Sequence, residues 1–316
     1  MKKKACLVFV FAIILGCATG TTAKDVGKDT SSRSSQDESI IRVMTTTPII
    51  ADWVSEIAGD NLFVESIIPY GVNPHSYQSG AKEIAKITES DLIFSIGLKY
   101  EGAKITKLLA NNSEIKLVEI GNIISSTEFS EETDKQSSNQ GIDDPHFWFD
   151  PIRVIDAVKL ITTELSSLNP DESDYYNNRL KKYIAELEAL DKYIRDAVNQ
   201  IPINNREFMT AHESLGYISK RYDIDVIHAV IPNVSSETGV KPEDLVNAVK
   251  LIKKHDIKVI FLENETPDKS AKTVADETGI KVVSGLGVET LKDKSQNYVT
   301  FMKSNIDIII ENLKAQ

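Results

Sequence analysis

The sequence predicts an α/β protein of two lobes, each built around a mainly parallel β-sheet and joined to the other by one long rigid helix. Apolar runs rich in β-formers alternate with helical patterns in both halves of the chain. A single uninterrupted helical pattern separates the two halves. The chain has 316 residues and 41% hydrophobic side chains, which is enough for two lobes of ordinary domain size.

Residues 1–16 predict a signal peptide. Three lysines at positions 2–4 precede an apolar run, residues 6–15, that is too short to span a bilayer. The run ends in the order Ile-Leu-Gly-Cys, which resembles the bacterial lipobox and would make Cys17 the acylation site. The alternative is an ordinary signal peptide, for which residues 18–20 offer a weaker cleavage site. We expect acylated Cys17 to anchor the protein in membrane lipid at the outer face of the cell membrane, at the cell surface or in the periplasm.

Residues 17–39 comprise this cysteine and a polar segment, which predicts a disordered tether. Once the signal is removed, no thiol other than that of Cys17 remains, so neither disulfides nor thiolate ligands are expected in the folded body. Loss of the three signal lysines changes the formal net charge from −11 to −14. This acidity argues against nucleic-acid binding, which requires clustered basic residues.

The first α/β lobe is predicted over residues 40–170. A helix is predicted at 48–58, with Thr47 as its N-cap, Pro48 at its first position and Gly59 just after its end. The predicted strands of this lobe are residues 41–47, 63–69, 91–97 and 116–121.

The linking helix is predicted over residues 171–201, a stretch without glycine or proline that follows Pro170. About 30 helical residues would extend roughly 45 Å. A connection of this kind is stiff, so metal or ligand capture would depend on local ordering of loops more than on hinge closure. The second lobe, residues 202–316, repeats the alternation, with strands predicted at 207–211, 225–231, 257–263 and 280–284.

Three of the five histidines follow strand patterns in short motifs: His75 in VNPHSY, His146 in DDPHFWFDP and His212 in TAHESLGY. One such histidine alone is more often packed or solvated than a ligand. Three on separate loops, however, match the donors that zinc prefers, and a tetrahedral site needs four. His228 lies within a strand pattern and is interpreted as packing, and His255 ends a helix whose C-terminus favours its positive charge.

These motifs, together with residues 285–306 (GLGVETLKDKSQNYVTFMKSNI), resemble the solute-binding lipoproteins of zinc and manganese ABC transporters, also described as adhesin-type lipoproteins. The resemblance extends from about residue 40 to the C-terminus. It implies a metal held in the cleft between the lobes by one ligand from each of four loops. Position by position, it implies His75 and His146 from the first lobe and His212 and Glu289 from the second.

The fourth ligand is the least specific of these assignments. Glu263 and Glu265 are rival carboxylates to Glu289, and Glu263 is interpreted as a structural hydrogen-bonding residue. Three imidazoles and one carboxylate favour zinc, since relatives specialised for manganese tend to have Glu at the position of His212. Many zinc receptors carry a His-rich acidic loop before the second histidine. Here residues 125–144, predicted to be a surface loop, are acidic without histidine.

The resemblance implies a monomeric receptor that captures zinc and passes it to a membrane permease driven by its ATPase. A manganese receptor of the same type is the first alternative. A surface adhesin with incidental metal binding is the second, and a receptor for an iron chelate is the third.

An enzyme is not expected. His212 and Glu213 begin an H-E-x-x-H metalloprotease motif, but Gly216 occupies the position of the second histidine. Four protein ligands would also close the coordination shell, whereas a catalytic zinc keeps one position open for water.

Overall fold

The computed structural model describes residues 40–125, 143–210, 213–228, 242–264 and 269–314. The predicted signal peptide, Cys17 and the tether at 17–39 therefore lie outside the described residues. So do most of the loop predicted at 125–144, His212 and Glu265.

The first lobe contains a four-stranded sheet in which every strand pairing is parallel, in the order β2-β1-β3-β4. Its strands are β1 (Arg42–Thr45), β2 (Phe63–Ser66), β3 (Leu92–Ser95) and β4 (Lys116–Glu119). Its helices are α1 (Pro48–Ala58), α2 (Ala81–Thr88), α3 (Ala103–Ala110) and α4 (Pro151–Leu168).

Helix α1 confirms the predicted capping. The hydroxyl of Thr47 accepts a hydrogen bond from the backbone N–H of Ile50 at 3.3 Å, and Pro48 is the first helical residue. Gly59 ends the helix with φ 57°, in a region of backbone conformation that side chains disfavour. The four strands of this lobe, in contrast, have four residues each and are shorter than predicted.

The long helix between the two sheets is α5 (Ser173–Val198), which has 26 residues and is therefore about 39 Å long. It packs along α4 and also contacts α1 and α9. One face of α5 is buried, with Leu187, Leu190 and Ile194 each at most 1% exposed. This apolar stripe at helical spacing is what the sequence pattern predicted.

The second lobe repeats the topology of the first, with a parallel sheet in the order β6-β5-β7-β8. Its strands are β5 (Glu207–Thr210), β6 (Asp225–His228), β7 (Val259–Glu263) and β8 (Lys281–Leu286). Its helices are α6 (Gly216–Tyr222), α7 (Pro242–His255), α8 (Lys269–Thr278) and α9 (Tyr298–Leu313). The two parallel-sheet lobes and the helix between them confirm the predicted fold class, whereas the exact lobe limits remain a prediction.

Helix α9 follows the second sheet but packs against elements of the first lobe. The ring of Tyr298 meets Trp53 of α1 edge to face, with centroids 5.6 Å apart. Phe301 lies 6.1 Å from Phe149, which immediately precedes α4. One apolar core therefore runs continuously through α1, α4, α5 and α9. Within the described part of the chain, no helix combines the length and the apolar character that crossing a membrane requires.

Candidate metal site

Three of the four predicted ligands converge. His75, His146 and Glu289 each present one nitrogen or oxygen atom within 4.8 Å of the other two. Glu289 Oε1 lies 3.3 Å from His75 Nε2 and 3.3 Å from His146 Nε2. Two imidazole nitrogens and one carboxylate oxygen around a single point form a donor set that suits a divalent transition metal.

The three side chains come from the loops that follow parallel strands, where α/β folds present ligand-binding groups. His75 follows β2, and its backbone N–H donates to Asn73 Oδ1 at 2.9 Å. His146 follows β4 and precedes the short 3-10 turn Phe147–Phe149 that leads into α4. Glu289 follows β8. His146 and Glu289 are buried, and the His75 side chain is 16% exposed, so the cluster is open to solvent mainly on the side of His75.

Asp144 orients His146. Its Oδ1 accepts hydrogen bonds from the His146 backbone N–H at 2.9 Å and from Nδ1 at 2.7 Å. A proton on Nδ1 leaves the lone pair on Nε2, the nitrogen that faces Glu289. Among the three aspartates near His146, the sequence could not indicate which one has this role. Asp150 instead caps α4, accepting from the Ile152 N–H at 3.0 Å, and Asp143 is exposed.

The electrostatics of this pocket favour positive charge. Burial disfavours the charged imidazolium of His146, but the neighbouring carboxylates of Glu289 and Asp144 outweigh that cost and raise the pKa of His146 to about 9. A divalent ion placed among these groups would supply the same compensating positive charge.

Tyr100, which sequence reasoning missed, completes the surroundings of the carboxylate. Its hydroxyl donates to Glu289 Oε2 at 3.0 Å, the oxygen that the histidines do not face. Its ring also lies edge-on to His75, with centroids 5.5 Å apart. Since 189 residues separate Tyr100 from Glu289, only the tertiary fold reveals the pair.

The backbone around Glu289 is bonded to the first lobe, although it follows the second sheet. Besides the contacts of Glu289 itself, hydrogen bonds connect residues 288–298 to first-lobe residues. They include Trp148 Nε1 to the Val288 carbonyl at 3.0 Å, Gly71 N–H to the Leu291 carbonyl at 2.9 Å, Tyr298 N–H to Asp52 Oδ2 at 2.8 Å, and Tyr298 hydroxyl to the Trp148 carbonyl at 2.5 Å. Glu289 is thereby fixed relative to His75 and His146.

The remaining sequence-predicted residues are not part of the cluster found among the described residues. His212 is outside the described residues, and its described neighbours Thr210 and Glu213 are buried. Glu263 is buried at the end of β7 and does not belong to the three-residue cluster. His255 ends α7, where its Nδ1 lies 2.6 Å from Glu207 Oε1 at the start of β5. His255 therefore lies at the opposite end of the second sheet from the ligand candidates.

Two parallel-sheet lobes with a His-His-Glu cluster at their strand ends suit a metal-binding receptor, and similar proteins show that the chain is a metal-binding, substrate-binding receptor of an ABC transporter. Residues 43–312 match the family described as zinc-uptake complex component A, periplasmic, and the chain belongs to that family. Members of this class work with a permease and an ATPase and are receptors, not enzymes.

The names of several similar proteins support the same class. The chain is 30% identical over 323 residues to the manganese ABC transporter substrate-binding lipoprotein PsaA of Streptococcus pneumoniae, with 99% of each chain covered. It is 30% identical over 331 residues to the metal ABC transporter substrate-binding lipoprotein SloC of Streptococcus mutans, again with 99% of each covered. Among solved structures it resembles the periplasmic zinc binding protein TroA of Treponema pallidum with a TM-score of 0.79 and 26% identity, over 87% of this chain and 99% of that one.

Proposed function

We propose that this protein captures zinc outside the cytoplasm through His75, His146, His212 and Glu289 and delivers it to a membrane permease for uptake. The observation that carries the proposal is the convergence of His75 Nε2, His146 Nε2 and Glu289 Oε1 on one buried point. His212, two residues after the end of β5 in the sequence, supplies the fourth donor. Four protein donors replace the water shell of the ion, and the fixed positions of His75, His146 and Glu289 reduce the entropic cost of binding.

The preference for zinc rests on donor chemistry. Imidazole suits zinc, whereas manganese favours carboxylate, carbonyl and water oxygens in octahedral geometry. The names of the relatives differ on this point, since PsaA is described as a manganese receptor and TroA as a zinc binding protein. A manganese receptor is therefore the second candidate, favoured by the name of a relative that aligns over almost the whole chain.

The proposed location is the outer face of the membrane, with Cys17 as the lipidated residue and the protein acting as a monomer. Support comes from the lipobox-like residues 14–17 and from the word lipoprotein in the names of several relatives. Cells fed radiolabelled palmitate should label the parent protein and leave Cys17→Ala unlabelled. Equal labelling of the two would contradict acylation at this residue.

The metal proposal is tested on the chain that begins at residue 18, stripped with chelator. Zinc and manganese are titrated in competition, with His212→Ala, Glu289→Ala and, as a matched control outside the cluster, His255→Ala. We expect tight one-to-one zinc binding that is strongly weakened in His212→Ala and Glu289→Ala and unchanged in His255→Ala. Tighter binding of manganese than of zinc would instead establish the second candidate.

If neither zinc nor manganese bound tightly, the receptor proposal would be overturned. Parent-like binding by His212→Ala would remove that residue from the ligand set while leaving the three-residue cluster to be explained.

A further inference from the structure

The two oxygens of the Glu289 carboxylate have different surroundings. Oε1 faces His75 Nε2 and His146 Nε2, at 3.3 Å from each. Oε2 accepts a hydrogen bond from the hydroxyl of Tyr100 at 3.0 Å. The side chain of Glu289 is 1% exposed, so solvent does not compete for this second oxygen.

Tyr100 is held in place by an unusual turn. Gly97, Leu98 and Lys99 have φ values of 76°, 52° and 64°, so three successive residues adopt a conformation that costs energy for any residue other than glycine. The turn persists because the adjacent carboxylate of Glu101 binds its start. Glu101 accepts from the Ile96 N–H at 2.7 Å, from the Gly97 N–H at 3.1 Å and from the Thr46 hydroxyl at 2.8 Å.

Glu289 is equally constrained. Trp148 Nε1 donates to the carbonyl of the preceding residue, Val288, at 3.0 Å. The Tyr100 hydroxyl is also within 3.4 Å of the Glu289 carbonyl oxygen. With both partners fixed, turning the carboxylate to present both oxygens to one ion would strain its hydrogen bond to Tyr100.

We propose that Tyr100 is a positioning residue that sets metal selectivity, by restricting Glu289 to coordination through Oε1 alone. The inference rests on the proposed function of the same cluster. A carboxylate that supplies one oxygen keeps the coordination number low, which suits tetrahedral zinc. A carboxylate that supplies two oxygens raises the coordination number, which suits manganese. Tyr100 thus disfavours manganese by holding Oε2 in place through a hydrogen bond that bidentate coordination would strain.

The test is Tyr100→Phe, which removes the hydroxyl and keeps the ring. Tyr222→Phe is the matched control, because Tyr222 is also a buried tyrosine that donates to a carboxylate, Asp191 Oδ1 at 2.9 Å, away from the cluster. Zinc and manganese affinities are measured by competition. The visible absorption spectrum of the cobalt(II)-loaded protein is recorded in parallel, since four-coordinate cobalt absorbs far more strongly than five- or six-coordinate cobalt.

We expect Tyr100→Phe to lower the ratio of zinc affinity to manganese affinity by about ten-fold or more. This is the range typical of mutations that remove a hydrogen-bonding partner of a metal ligand. Its cobalt spectrum should weaken toward that of a higher coordination number, while Tyr222→Phe matches the parent in both. Thermal unfolding of the metal-free proteins identifies any loss of folding, which would lower both affinities together and leave their ratio unchanged.

An unchanged affinity ratio together with a parent-like cobalt spectrum in Tyr100→Phe would overturn the inference. A parent that binds manganese more tightly than zinc would instead refute the zinc proposal. In that case the cobalt comparison alone decides whether Tyr100 limits the coordination of Glu289.

Discussion

Gly216 and Asp144 are in such close contact that a β-carbon on residue 216 would lie 2.8 Å from Asp144 Oδ2. The contact joins the start of α6 to the loop that carries His146. Tyr217, the next residue, donates from its hydroxyl to the Asp144 carbonyl at 2.9 Å. The same glycine that breaks the H-E-x-x-H pattern is therefore the residue that makes room for the partner of His146.

Gly216→Ala should weaken zinc binding by about ten-fold or more, because the added methyl group displaces the carboxylate that orients His146. Alanine is favourable in a helix, so the fold should be retained. Gly102→Ala is the matched control. Gly102 is the N-cap of α3, and a β-carbon added there meets nothing within 4 Å. Competition titration and thermal unfolding measure the two effects, and equal zinc affinity in both variants would contradict the prediction.

Asp144→Ala should lower zinc affinity about 10- to 100-fold, because His146 loses the acceptor that fixes its Nδ1 proton and ring orientation. The exposed neighbour Asp143→Ala should stay within about two-fold of the parent. Isothermal titration with a competing chelator resolves this difference. Similar losses in both variants would mean that general acidity, not the hydrogen bond to His146, supports metal binding.

The pH dependence of stability should contain a contribution from Asp52. Burial raises the pKa of Asp52 from 3.8 to about 7 in the folded protein. Between these values the folded protein retains a proton that the unfolded chain has released, so stability falls as pH rises from about 4 to about 7. The loss is on the order of 4 kcal/mol and remains constant above that range.

Asp52→Asn should remove this dependence, because an amide oxygen still accepts from the Tyr298 N–H without carrying charge. The variant should then be more stable than the parent at pH 8 and nearly equal at pH 4, as measured by urea unfolding. Asp196→Asn, whose side chain is 60% exposed, should follow the parent at both pH values. Parallel pH profiles for Asp52→Asn and the parent would refute the assignment.

Arg221 should be among the most important charged residues for stability. Its Nε lies 2.7 Å from Asp191 Oδ1 on α5 and 3.0 Å from Asp150 Oδ1 at the start of α4. The carboxylates of Asp191 and Asp150 are 14% and 8% exposed, so Arg221→Met leaves two largely buried negative charges with less compensation. We expect a loss of about 3 to 5 kcal/mol in the free energy of unfolding.

Arg195→Met provides the comparison, because Arg195 also pairs with Asp191, at 3.2 Å, but is 47% exposed. Its removal should cost less than about 1 kcal/mol. Chemical unfolding at neutral pH measures both variants, and equal losses would show that the lower exposure of Arg221 is not the deciding factor.

The sequence predicted the fold class because the determining signals are local. Alternation of strand and helix patterns, the caps of α1 and the unbroken pattern of α5 each depend on neighbouring residues. The convergence of His75, His146 and Glu289 was implied by a family resemblance and matches the geometry, although their role as ligands remains a proposal.

What the sequence could not predict depends on the folded geometry of the chain. Asp143, Asp144 and Asp150 are equally acidic neighbours of His146, and only the structure shows that Asp144 bonds to the imidazole while Asp150 caps α4. Tyr100 lies in a segment without a metal-binding motif, and its role depends on a turn with three positive φ values. Neither feature produces a periodic or compositional pattern in the chain.

Because α9 packs on the first lobe, cutting the chain after the linking helix would not yield an intact first lobe. A fragment ending at residue 201 would lack Glu289 and would expose the faces of Trp53 and Phe149 that α9 covers. We therefore expect such a fragment to aggregate. A fragment that retains the three-residue cluster must combine the first lobe with residues 287–314, which are distant in sequence. A circular permutation that places residues 287–314 before residue 40 would make these two segments contiguous.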